Sequence, residues 1–265
     1  MLKKICILLF VPLSLFSKVH YAKVEPFESV VLKSSVNGLV MEVDLDAEGT
    51  LVASKRVIHL DDKLDSVNLK NTKKSIELLK EMLKINQNIA TSLKGTVTRQ
   101  ERYFGRMSKL STVSKTQKDN AYNSFSSAKT QYLSTREKII SLKKQILDME
   151  YKKAQLEDTI IKKSIVLSNK YLYKLLVQEG DFVTAGSSLA KVDDISHAKL
   201  VLFLDTDELG DLDKKDIYID DKKTEYKVDK VWKVTDEKFI SSYRAEIYID
   251  APKKMFSTLL KVEIK

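Results

Sequence analysis

Two runs of apolar residues, spaced alternately three and four apart, occupy the middle of this chain. The first passes through Ile76, Leu79, Leu83, Asn86, Ala90, Leu93, Val97, Gln100, Phe104 and Met107. The second passes through Phe125, Ala128, Tyr132, Thr135, Ile139, Leu142, Ile146, Met149, Lys153, Leu156 and Ile160. A 3.5-residue repeat draws a narrow stripe along a helix, which a second helix of similar length can cover. Residues 63–164 contain no proline and two glycines and are rich in Lys, Glu, Gln, Leu and Ile, all helix formers. The runs break between Gly105 and Ser114, where Ser108, Ser111, Thr112 and Ser114 gather. Ser114-Lys-Thr-Gln117 has the form of a capping box, in which serine and glutamine satisfy the free amides of a helix start. The pattern therefore predicts an antiparallel coiled-coil hairpin over 63–164 with its tip near 105–114. Each arm would be about 70 Å long at 1.5 Å per residue. Arms of that length must project from whatever small unit carries them.

The flanking segments read as strands and resemble each other. Gly38-Leu-Val-Met-Glu-Val-Asp-Leu-Asp-Ala-Glu-Gly49 is followed by an apolar stretch ending at Asp61-Asp62. Lys170-Tyr-Leu-Tyr-Lys-Leu-Leu-Val-Gln-Glu-Gly180 is followed by one ending at Asp193-Asp194. Both pass through alternating strand, Glu-Gly turn, apolar residue, small-residue turn and strand, with glycine supplying the positive φ of the turns. Asn37-Gly38 is a further turn signal. The Asp-Asp pairs are expected at strand ends, where carboxylates cap exposed amides. Beyond Ile195, strands are expected at 199–204, 216–219, 226–234, 243–249 and 259–264, with a short helix or turn at 207–212. This spacing suggests a small antiparallel barrel, with Trp232 in its core.

At the N-terminus, Met1-Leu-Lys-Lys4 precedes a mostly apolar run from Ile5 to Phe16. Spanning a bilayer takes about 20 apolar residues, so this run reads as an export signal over 1–22, with cleavage after Ser17 or Ala22. Composition narrows the chemistry. The one cysteine, Cys6, lies in that segment, and the histidines (His20, His59, His197) are far apart. Thiol redox chemistry, multi-cysteine metal sites and a histidine triad are thereby disfavoured. No P-loop, G-x-S-x-G, H-E-x-x-H or Gly-rich dinucleotide loop occurs, and no cofactor or catalytic residue is assigned. The net charge of +9 comes from 46 basic and 37 acidic residues. Their interleaving reads as a mixed, solvated surface with no nucleic-acid partner.

The second half-motif, Val177-x-Glu179-Gly180-Asp181-x-Val183-x-x-Gly186-x-x-Leu189-Ala190, resembles a biotinyl/lipoyl-like half-domain. The order of signal, half-motif, hairpin, half-motif and β-tail resembles the membrane fusion protein family, the HlyD-like periplasmic adaptors. The resemblance implies an α+β fold: a long antiparallel coiled-coil α-hairpin inserted in a lipoyl-like β-sandwich and followed by a small antiparallel β-barrel. The implied divisions are 23–62 (first barrel strand and first half), 63–164 (hairpin), 165–194 (second half) and 195–265 (barrel). It also implies a periplasmic subunit without enzymatic activity. Its hairpin tip would dock on an outer-membrane tunnel protein, its base would meet an inner-membrane transporter of the RND or ABC type, and its copies would associate in a ring. Tips in the family carry an arginine, a leucine and a serine at fixed spacing. Ser114 matches the serine and Met107 stands at the leucine. The arginine position falls on Tyr103, with Arg102 one residue away. Carriers of this fold hold biotin or lipoate on a lysine between the halves. Lys63 is near that place, but the hairpin replaces the turn that would present it. A carrier protein and an exported coiled-coil scaffold are the alternatives. Lys170, Ser54 and Ala251-Pro-Lys-Lys-Met255, which lacks the family's glycine, depart from the pattern.

Overall fold

The computed structural model describes residues 18–236, 238–252 and 255–265. Residues 1–17 of the expected export segment lie outside them. Two helices, α1 (Lys63–Lys109) and α2 (Lys115–Lys163), form an antiparallel hairpin whose outer limits lie within one residue of the expected 63–164, while α1 continues through Lys109 into the break expected at 105–114. Every residue of both predicted stripes is buried or half-buried, and the residues between them are mostly exposed. Thr72 and Ala121 extend the seam beyond the predicted positions. Ser114 caps α2 as expected: its hydroxyl accepts from the Gln117 amide at 3.3 Å, and the Gln117 side chain accepts from the Ser114 amide at 3.1 Å.

Around the hairpin runs one antiparallel sheet. Its strands are β1 (Val19–Lys33), β2 (Gly38–Val43), β3 (Thr50–Leu60), β4 (Ser164–Leu175), β5 (Phe182–Val183) and β6 (Ser188–Leu204). They continue as β7 (Ile217–Ile219), β8 (Lys222–Lys223), β9 (Lys230–Thr235), β10 (Tyr243–Asp250) and β11 (Leu259–Ile264). The helices leave from the end of β3 and return into β4, and these two strands pair with each other from Thr50↔Leu172 to His59↔Ser164. The chain therefore exits and re-enters its sheet at adjacent points. Lys163 closes the base, with Nζ 2.5 Å from Asp65 and 2.7 Å from the carbonyl of Asp61.

Apolar residues collect in two cores. The first joins the two similar segments: Val40, Val52, Ile58 and Leu60 from one side of the hairpin pack with Leu172, Val183, Leu189 and Val192 from the other. The turns also match, since Gly49 and Gly180 both take positive φ, at 75° and 92°. Asn37-Gly38 is not a turn. Gly38 opens β2, where an added Cβ would stand 3.2 Å from that of Leu60, and the Asn37 side chain accepts from the Ala185 amide at 2.8 Å.

The second core holds Ala22, Val24, Leu200, Leu202, Leu204, Ile217, Ile247 and Val262. Its strands lie in the order β8-β7-β11-β1-β6-β10-β9, and no ladder joins β8 to β9 among the described residues, so the expected barrel is an open sheet. The strand β6 crosses both cores without a break, so the 194/195 division falls inside a strand. Asp193-Asp194 is therefore mid-strand rather than at a strand end. Asp193 is buried, while Asp194 accepts from Lys170 Nζ at 2.7 Å and from Ser196. Asp61, not Asp62, serves the start of α1, by accepting from the Lys63 amide at 3.1 Å. Trp232 is not in the core. It is half-buried, with Lys230 Nζ 4.3 Å and the Arg244 guanidinium 5.0 Å from its ring centre.

The Lys170 ammonium and the Ser196 hydroxyl hold the Asp194 carboxyl well below the ordinary carboxylate range. A carboxyl depressed in the folded state adds stability above its unfolded pKa, and that stability is lost as pH falls through the folded value. Asp194→Asn is therefore expected to cost about 1 kcal/mol at pH 7. The difference should shrink steadily below about pH 4. Urea unfolding of both proteins at pH 7 and pH 3 measures it, and a gap that widened in acid would refute the assignment.

Candidate functional site: the hairpin shaft and tip

The end of the hairpin is a five-residue connection, 110–114, between helices of 47 and 49 residues. Just below it, Phe104 of α1 meets Tyr122 edge-on at 5.4 Å and stacks on Phe125 at 6.3 Å between ring centres. This aromatic cluster locks the last turns together where the seam otherwise thins to Gly105 and Met107.

The four tip residues singled out from sequence do not share one face. Met107 is half-buried in the seam, and Tyr103, one turn earlier, is 43% exposed on its flank. Residues four apart on a helix are neighbours, so these two form one surface. Arg102 is exposed and five residues from Met107, about 140° around the helix, so it points away from the seam. Ser114 is exposed, with its hydroxyl committed to the capping box.

The register of the hairpin is read from two ion pairs between its arms, Lys73–Glu157 at 3.0 Å and Lys80–Glu150 at 2.9 Å. Both pairs join e positions when the seam residues are lettered a and d, as in antiparallel coiled coils. Continued by sevens, the same register sets Gln87 across from Lys143 and Lys94 across from Arg136. The proximal arms are thus joined by opposite charges, whereas in the distal arms two like charges face each other at 94/136 and Glu101 stands across from Lys129 one heptad further.

Each arm carries apolar residues that its partner arm does not cover. On α1, Leu78, Met82, Ile85 and Ile89 follow steps of four, three and four at 44–54% exposure. They occupy c and g positions. On α2, Leu133, Ile140, Leu147 and Ile161 recur at b positions at 53–70% exposure. Because e faces e in this hairpin, the α1 stripe lies on one face of the two-helix ribbon and the α2 column on the other. In the observed register, Ile140 and Leu147 stand at the height of Ile89 and Met82.

Charge is unevenly placed as well. Residues 90–140 hold ten basic and three acidic side chains, a net +7 out of +9 for the whole chain. None of the ten forms an ion pair among the described residues. The mixed-charge surface expected from composition therefore holds for the rest of the chain but fails for the distal hairpin. Counting charge by segment rather than by chain reveals it.

Other titratable groups sit in local pairs. Lys63 is the first residue of α1, with its amide bound by Asp61. His20 lies 2.8 Å from Glu208, His59 lies 3.4 Å from Asp62, and His197 touches Ser196. Asp205, Asp207 and Glu208 cluster within 4.8 Å, but Lys18 reaches Asp205 at 2.9 Å and Asp207 at 3.2 Å, so a cation of the chain itself already sits among them. No described helix is long and apolar enough to cross a membrane.

No protein-family model matches the sequence, and no curated protein matches it. Solved structures do match. MacA from Actinobacillus actinomycetemcomitans superposes with a TM-score of 0.71 at 15% identity, over 94% of this chain and 78% of that one. The membrane fusion protein Spr0693 from Streptococcus pneumoniae R6 gives a TM-score of 0.56 at 10% identity, over 94% of this chain and 99% of that one. A MacA-MexA chimera containing the Pseudomonas aeruginosa MexA α-hairpin domain gives 0.53 at 17% identity, over 94% and 78%. A sheet interrupted by a long two-helix hairpin, followed over 94% of this chain at such low identity, is what these proteins and this chain have in common: the chain has the fold of the membrane fusion proteins.

Proposed function

We propose that this chain is a periplasmic adaptor, linking an inner-membrane transporter to an outer-membrane channel in tripartite efflux or type I secretion. The observation that carries the reading is the hairpin. Helices of 47 and 49 residues reach about 70 Å from the sheet at 1.5 Å per residue, and both termini of the hairpin are tied to paired strands. Such an element transmits position across a gap and needs no chemistry on a substrate. In this reading the first core is a lipoyl-like unit and the second corresponds to the adaptor barrel. The tip, with Tyr103, Met107 and Ser114 and with Arg102 on its outer side, seats on the channel. The hairpin geometry serves a transporter of the RND class and one of the ABC class alike. Photo-crosslinkers at Leu110 and Ser111 in intact cells test it. Capture of an outer-membrane channel is expected, and capture of cell-wall components alone would refute it.

The two uncovered apolar stripes support association of copies in a ring. They lie on opposite edges and opposite faces of the ribbon, so one copy's stripe can meet only the other stripe of its neighbour. Such a heterologous contact propagates, and because the stripes stand at one height it can close without a rise. Ile140→Glu with Leu147→Glu is expected to leave helicity unchanged and to reduce the assembled mass in light scattering to that of single chains.

An export signal ending at Ser17 fits this reading, and one ending at Ala22 does not. Val19–Ala22 pair with β11, from Val19↔Glu263 to Ala22↔Leu260, and Ala22 is fully buried. Lys18 also holds the Asp205 carboxyl below its ordinary range through a direct hydrogen bond. The mature chain is expected to begin at Lys18, by intact mass or N-terminal sequencing; a start at Lys23 would contradict this.

A further inference from the structure

The distal hairpin is electrostatically incomplete in a single chain. Its net +7 over residues 90–140 is spread along both arms over about 30 Å of shaft. The arm-to-arm register brings Lys94 opposite Arg136, where the proximal half has Lys–Glu pairs, and leaves Glu101 across from Lys129 as the one opposite-charge match at these distal positions. Copies arranged side by side would add to this repulsion, since each brings the same charge to the same height. The α1 stripe stops at Ile89, where the cationic zone begins, and the α2 column reaches into that zone only with Ile140 and Leu133. The shaft is thus divided into a proximal half that can meet its own kind and a distal half that repels it.

We infer that the distal half is built to be flanked by an acidic protein surface that extends down the shaft from the tip. This deepens the adaptor reading, on which it rests for the existence of a distal partner, and adds the chemistry of that partner. A flat anionic membrane met end-on fits the pattern less well. Screening limits its reach to about 8 Å at physiological salt, which covers only the last turn or two of each arm and leaves Lys94, Arg99 and Arg136 out of its reach. A membrane met side-on would reach one face of the ribbon and would need an apolar face to insert. Between 90 and 140 the large exposed apolar residues are scattered: Tyr103, Leu110, Tyr122, Leu133 and Ile140. A protein that lines the shaft can place carboxylates along its whole length, guide the approach and fix the register.

The test uses the full chain in cells, with a photoreactive residue placed in turn at Ser111 (tip), Thr91 and Thr130 (shaft), and the crosslinked segments mapped by mass spectrometry. All three positions are expected to capture the same protein, through segments rich in Asp and Glu. Replacing Lys94, Arg99 and Arg136 by Gln should lower the shaft adducts at least about tenfold. The same variant should keep its helicity and melt no lower than the parent, since a like-charge pair has been removed. Adducts with lipid or polysaccharide, adducts with a second copy, capture through non-acidic segments, no shaft adducts, or yields unchanged in the variant would each overturn the inference. An acidic partner that is not an outer-membrane channel would leave it standing and refute the adaptor reading. A channel captured only at Ser111 would do the reverse.

Discussion

Leu142→Asp is expected to melt the hairpin while leaving the sheet folded. Leu142 is 3% exposed in the middle of the seam, in the same stripe as Ile146. A carboxylate there loses the apolar contact and has no buried cation to meet. We expect a cost of about 3–5 kcal/mol. The hairpin has little to absorb that loss. Isolated helices are marginal in water, and most of their stability in proteins comes from an apolar face being covered. Both helices expose much of their surface, and the arms are joined by a single stripe. The far-UV signal at 222 nm should therefore fall well before the β-part unfolds. Near-UV changes from Trp232, which sits on β9 away from the hairpin, should report the later transition. One coincident transition at the parent's temperature would refute this picture. The variant should also lose every tip crosslink, because a splayed pair of arms presents no defined end.

Leu200→Ala should behave in the opposite way. Leu200 is fully buried in the second core and sits on β6, paired with Val24 of β1 and Ile247 of β10. Removing its side chain is expected to cost about 2–5 kcal/mol. A loss near 3 kcal/mol lowers the melting temperature by roughly 6–12 °C in a domain of this size. Because β1 and β6 each run through both cores, the penalty should not stay local. The first core should unfold together with the second, and the Trp232 signal and the β-sheet signal should shift by the same amount. A variant in which the first core kept the parent's melting temperature would show that the long strands do not couple the two.

The contrast between these substitutions follows from how each part was legible. The hairpin could be read residue by residue because a coiled coil is a local code. Burial at positions three and four apart depends on the helix repeat, so all the stripe residues from Ile76 to Ile160 could be named in advance, and Ser114 with Gln117 marked the restart of the helix. The pairing of 38–62 with 170–194 was also legible, through matched Glu-Gly turns. What failed was non-local. Asp193-Asp194 looks like the end of a strand, but β6 continues through it because β1 and β10 supply pairing partners on the far side. Trp232 looks like core, but its ring lies between two cations on a half-exposed strand. The barrel expected from strand count did not close, since closure depends on which edges find each other.

The chain's own order of residues determined a two-helix rod, its length, its turning point and the fact that one sheet unit is cut in two by it, because helix periodicity and turn chemistry act over a few residues. Folding in space alone decided that β1 and β6 bridge two cores, that the uncovered stripes fall on opposite faces at one height, and that the basic residues of the distal shaft find no ion-pair partner among the described residues. Those properties belong to pairs of segments far apart in the chain, and only the register between them brings them into being.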